Sequence, residues 1–73
     1  MELEAAREIV RAATPTGWLV SRPMFFGIHH WAVWANGPWP ARERQLPPQI
    51  EGTGATEAEA LVDLAGKLRR SPD

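Results

Sequence analysis

Sixteen consecutive residues, Phe25 to Pro40 (FFGIHHWAVWANGPWP), carry three of the four tryptophans, both phenylalanines and both histidines of a 73-residue chain. Aromatic and β-branched residues of this density, bounded by Pro23 and Pro38, favour extended backbone over helix. An extended run alternates its side chains, so Phe26, Ile28, His30, Ala32 and Trp34 would take one face and Phe25, His29, Trp31 and Val33 the other. Both faces are apolar. Such a strand is either covered on both sides or meets a partner on the second. The chain has no cysteine to staple so short a fold, and a domain of this size buries only about 60% of its unfolded surface, so a dense apolar core must hold it. Each tryptophan brings about 150–250 Å² of surface to bury. Trp18 and Trp34, inside strands, are accordingly expected in that core.

The rest of the chain is organised around this run. Leu3, Ala6, Ile9, Val10 and Ala13 recur at helical spacing, which predicts a helix over 2–13 ended by Thr14 and Pro15. Residues 18–22 (WLVSR) are a short strand between Gly17 and Pro23, residues 25–35 a second, and residues 49–53 a third, weak edge strand after two prolines. Gly27 marks a point at which the second run can bulge or turn. Residues 36–48, with Asn36-Gly37, four prolines and the charged run Arg42-Glu43-Arg44, form a surface loop. Thr56 and Glu59 make a capping box in which the glutamate is expected to reach back to the Thr56 amide. Leu61, Leu64, Ala65 and Leu68 continue a helix over 57–70, with Lys67, Arg69 and Arg70 at the negative end of its dipole. The expected fold is a single α+β domain over 1–73, α-β-β-β-α, with two helices on one face of a three-stranded antiparallel sheet. The other sheet face, or the edge near Gln49 to Thr53, is then expected to be open to another chain.

Gly52-Thr53-Gly54 leading into a Thr56-capped helix that contains Glu59-Ala60 resembles the end of a double-stranded RNA-binding domain. Gly27-Ile28-His29-His30 is similar to that family's Gly-Pro-x-His loop, without the proline. The segment Gly52 to Leu68 also resembles the HicB-type antitoxin domain, in which a three-stranded sheet leads into a helix. Both resemblances imply the same topology. RNA-binding domains, however, place lysines in the first turn of the second helix, where this chain has Glu57, Ala58 and Leu61. Carboxylates there repel a phosphate backbone.

Composition removes several chemistries. Without cysteine there is no disulfide framework, thiolate zinc site or cysteine nucleophile. His29 and His30, adjacent on an extended chain, point to opposite faces and do not share a metal ion. No nucleophile motif surrounds the serines or threonines, and Gly52-Thr53-Gly54 lacks the spacing and lysine of a phosphate loop. The expectation is a nonenzymatic protein with no cofactor and no metal. Eight basic and nine acidic residues leave a net charge of −1, with no general attraction to nucleic acid. An acidic start and the lack of an apolar run of about 20 residues predict a cytoplasmic protein with no membrane partner.

Aromatic side chains in excess of one small core predict a protein-interaction or regulatory module that binds another protein or a second copy of itself. Its candidate surface comprises Trp31, Trp39, Arg22, Arg42, Arg44 and His29. The alternative is nucleic-acid binding through Arg22, Arg42, Arg44, Lys67, Arg69 and Arg70, with Trp39 stacking on bases. A third possibility is a small-ligand or enzymatic site around His29 and His30.

Overall fold

The structure, a computed structural model, describes residues 2–27, 30–38 and 47–70. Helix α1 (Leu3–Ala13) is followed by strands β1 (Leu19–Val20), β2 (Met24–Phe26), β3 (His30–Asn36) and β4 (Gln49–Gly54), and then by helix α2 (Glu57–Arg70). Helix α1 buries Ala6 and Val10. It stops where the Thr14 amide and hydroxyl both donate to the Val10 carbonyl, at 2.9 and 2.6 Å, and Pro15, lacking an N–H, cannot extend the ladder. The turn that follows is closed by the Trp18 amide on the Pro15 carbonyl, at 3.2 Å. Its third residue, Gly17, has φ +91°, a left-handed conformation that side chains with a Cβ rarely adopt.

Strand β3 is the centre of an antiparallel sheet, with β4 on one side and both β1 and β2 on the other. The expected single run over 25–35 is therefore divided. Phe26 pairs with His30, so the chain reverses after Gly27 and returns as β3. The alternation of faces survives the reversal, because residues opposite each other in an antiparallel pair share a face. Phe26, His30, Ala32 and Trp34 thus lie together as the period predicts.

A second interruption separates β1 from β2. Val20 pairs with Ala35 and Met24 with Ala32, so Ser21, Arg22 and Pro23 stand opposite only Val33 and Trp34. This one-residue excess is a β-bulge. Ser21 bridges it: its amide donates to the Trp34 carbonyl at 2.8 Å, and its hydroxyl accepts from the Trp34 amide at 3.0 Å. The four strand segments make a sheet three strands wide, and the α+β architecture with both helices on one face is the one expected from sequence.

On that face Val33 and Ala35 meet Ala6 and Val10 of α1 and Ala60, Leu61, Leu64, Ala65 and Leu68 of α2. Gly52 and Gly54 face the same way, and α2 lies directly on them. A Cβ built on Gly52 would come within 2.5 Å of the Ala60 carbonyl oxygen and the Leu64 Cβ, and one on Gly54 within 2.6 Å of the Ala60 amide nitrogen. Helix α1 then packs against α2. The largest fully buried side chains are Leu64 and Val33, which corrects the expectation of a tryptophan core. Trp18 and Trp31 are half-buried against its margin, while Trp34 lies on the opposite face of the sheet. Trp39 lies outside the described residues.

Two hydrogen bonds hold together the ends of the 38–47 excursion. The Gly37 amide donates to the Pro48 carbonyl at 2.8 Å, and Gln49 Nε2 to Asn36 Oδ1 at 2.9 Å.

Gly52→Ala is expected to cost at least about 2 kcal/mol, since backbone atoms must move to admit the methyl group. In a domain of this size that lowers the thermal midpoint by roughly 10 °C. Gly27→Ala, whose Cβ would meet nothing within 4 Å, serves as control and should stay within about 1 kcal/mol of wild type. Thermal unfolding followed by circular dichroism distinguishes the two.

Candidate interaction surface

The two edges of the sheet are treated in opposite ways. Along β4, three side chains of α2 reach over the edge to its backbone and to that of Ala55 just beyond it. Glu59 Oε2 accepts from the Ala55 amide at 3.0 Å, Asp63 Oδ2 accepts from the Thr53 amide at 2.9 Å, and Lys67 Nζ donates to the Glu51 carbonyl at 2.8 Å. Lys67 also pairs with Asp63 at 3.1 Å. Residues 59, 63 and 67 are spaced one turn apart and so lie on one side of the helix. The Thr53 amide holds the Asp63 carboxyl below its ordinary range; partial burial opposes this, and Lys67 adds to it. An exposed edge strand offers unpaired amides and carbonyls to another chain, and here part of that row is occupied from within. The edge near Gln49 to Thr53, expected to be open, is therefore obstructed by α2.

The glutamate also departs from the expected capping box. The Thr56 hydroxyl oxygen accepts from the Glu59 amide at 3.1 Å as predicted, but the Glu59 carboxylate binds the amide of Ala55, one residue before Thr56. This displacement makes Glu59 the first member of the edge stripe.

The opposite edge, β1 and β2, bears all five of the large exposed apolar side chains among the described residues: Leu19 is 75% exposed, Val20 37%, Met24 53%, Phe25 57% and Phe26 39%. Trp34 directs its N–H and C=O to Ser21, so Ala32 and His30, two and four residues earlier, turn theirs to the same side. Their partners Met24 and Phe26 form the hydrogen-bonded pairs of β2 with β3. Phe25, between them, points its backbone N–H and C=O away from the sheet.

Leu19, Met24 and Phe26 project onto the face not covered by helices, beside His30, Ala32 and Trp34. Phe26 stacks on His30 with ring centroids 5.5 Å apart and meets Trp34 edge-on at 5.8 Å. Phe25 projects to the helical side and packs on Trp31 at 5.5 Å. Among the candidate residues, Trp31 is thus engaged at the core margin, and Arg22 is exposed at the bulge beside the free edge. His29, Trp39, Arg42 and Arg44 lie outside the described residues. Leu19, Met24, Phe25, Phe26 and Trp34 join Arg22 at this surface; the apolar character of both faces of the aromatic run signals the last three, while Leu19 and Met24 precede that run.

Three of the described hydroxyls are used structurally. Ser21 and Thr56 accept backbone amides, and Thr14 donates to its own helix. Among the described residues no three His, Cys, Asp or Glu side chains are grouped to hold a metal ion, and no helix is long and apolar enough to cross a membrane. Of the cations considered for nucleic acid, Lys67 is committed to the β4 edge and Arg70 Nε donates to the Gly66 carbonyl at 3.1 Å. Arg22 sits at the other edge of the sheet from Lys67. No family model matches the chain, and neither does any curated protein or solved structure.

Because Asp63 has a depressed folded-state pKa, its contribution is complete above the unfolded carboxylate value of about 3.9. It is lost as pH falls through the folded value. Asp63→Asn is expected to lower stability at pH 7 and to reduce the loss of stability below about pH 4. Urea unfolding at pH 7, 4 and 3 on both proteins checks this.

Proposed function

We propose that the protein is a noncatalytic interaction module whose docking element is the β1–β2 edge, and that its partner there is a second copy of the same chain. The observation that carries this reading is the concentration of every large exposed apolar side chain of the described residues on that one edge. Scattered exposed apolar residues are ordinary, but a contiguous group marks an interaction site. A free amide and carbonyl at Phe25 add the hydrogen bonds that strand addition needs.

A two-fold axis through Phe25 pairs its N–H and C=O with those of Phe25 in the other copy and sets Met24 opposite Phe26. The contact is self-complementary, as an isologous interface requires. A net charge of −1 offers little electrostatic resistance to it. The α2 stripe over β4 hinders pairing at the other edge, so association stops at two copies and does not propagate.

Sedimentation across a concentration series is expected to give a mass approaching twice 8.1 kDa in the upper micromolar range. Met24→Lys, at an exposed position, should weaken dimerisation by at least about tenfold while leaving the far-ultraviolet circular dichroism unchanged. A wild-type protein that stays monomeric at the highest concentration, or a dimer indifferent to Met24→Lys, would overturn the reading.

A further inference from the structure

A groove of about 520 Å³ runs between α1 and the bulge that joins β1 to β2. Val10 and Leu61, both buried, form its apolar base together with Val20 and Pro23. Arg7 and Arg11, one helical turn apart on α1, border one side, and Arg22 borders the other from the bulge. Two of these cations have local partners: Arg7 pairs with Glu4 at 3.3 Å and Arg11 with Glu8 at 2.8 Å. All four side chains are at least half exposed, so these pairs are weakly held and readily exchanged. Arg22 has no ion pair among the described residues.

We propose that this groove receives an acidic amphipathic helix of another protein, with its apolar ridge on Val10, Val20 and Leu61 and its carboxylates on Arg7, Arg11 and Arg22. The distribution of charge selects the occupant. A small amphiphile carries charge at one end only, whereas cations on both walls of an apolar trough complement a ridge flanked by carboxylates on both sides. The repeat of Arg7 and Arg11 matches acids spaced one turn apart on a helix. A second copy of this chain does not supply such a helix, because the apolar stripes of both α1 and α2 are spent in its own core. The groove shares Val20 with the β1–β2 edge but lies on the helical side of the sheet, whereas edge pairing runs through the outward backbone of Phe25 and the Met24 and Phe26 side chains on the other face.

The test uses a fluorescently labelled, helix-stabilised peptide with leucines at i, i+3, i+4 and i+7 flanked by glutamates. Two control peptides replace the glutamates with lysine or the leucines with serine. The expected result is anisotropy-detected binding by the glutamate–leucine peptide alone, with amide shifts centred on Val10, Val20 and Leu61. Arg22→Glu and, separately, Arg11→Glu should each weaken it by about tenfold, with circular dichroism confirming that each variant is folded. The proposal is overturned by absence of binding at millimolar peptide, by equal binding of either control, or by affinity insensitive to both substitutions. Shifts confined to Phe26 and Trp34 would also overturn it, as would equal occupation of the groove by sodium decanoate. Dimerisation is read from the mass of Met24→Lys and groove binding from Arg22→Glu, so failure of one proposal is distinguishable from failure of the other.

Discussion

Contact between the backbone of α2 and the glycine-bearing face of β4 governs the rest of the fold. Any side chain at Gly52 or Gly54 would lift the helix away from the sheet. With both absent, small residues such as Ala60 and Ala65 can sit against β3 and β4, and Leu64 fills the space between them. Close packing of this kind compensates for a short chain: dispersion contacts accumulate with proximity, and an interior without voids retains all of them. It also explains why none of the described tryptophans, Trp18, Trp31 and Trp34, is fully buried. A helix seated this near to the sheet leaves room for alanine, valine and leucine, with Trp18 and Trp31 at the margin and Trp34 on the other face of the sheet.

The same proximity seals one edge. Glu59, Asp63 and Lys67 can reach the Ala55 amide, the Thr53 amide and the Glu51 carbonyl because α2 runs directly above β4. At the other edge nothing equivalent happens among the described residues, since α1 leans chiefly on α2 and leaves a groove over the bulge. The sheet thus acquires a protected side and an open one. Where strand pairing is possible on one side only, association is limited to a closed pair.

The β-bulge at Ser21, Arg22 and Pro23 is the second decisive feature. Without the extra residue, Met24 and Phe26 would point to the helices and Phe25 to the uncovered face, because a shift of one residue exchanges the two faces of a strand. The bulge instead directs Met24 and Phe26 outward, beside His30 and Trp34. It also turns Arg22 toward the rim of the groove. One local irregularity therefore shapes both the apolar edge and the basic-rimmed cleft, with Ser21 restoring the hydrogen bonds that the irregularity would otherwise leave unmade.

Local signals in the sequence determined the two helices, the extended character of the segments between them and the α+β class of the fold, though not the division of the central run into β2 and β3. The apolar period of Ala6, Val10, Leu61, Leu64 and Leu68 and the cap at Thr56 act over a few residues, and nothing distant competes with them. The two-sided apolar character of the aromatic run likewise announced a surface in need of cover. Tertiary structure alone decided which tryptophan faces which layer, because strand register depends on a bulge and a reversal whose positions are set by pairing across the sheet. It also decided that Asp63 and Lys67, which in sequence read as an exposed acid and a helix-dipole cation, guard a strand edge. That role arises only when Gly52 and Gly54 bring the helix within hydrogen-bonding distance of β4, and such closeness between segments is a property of packing.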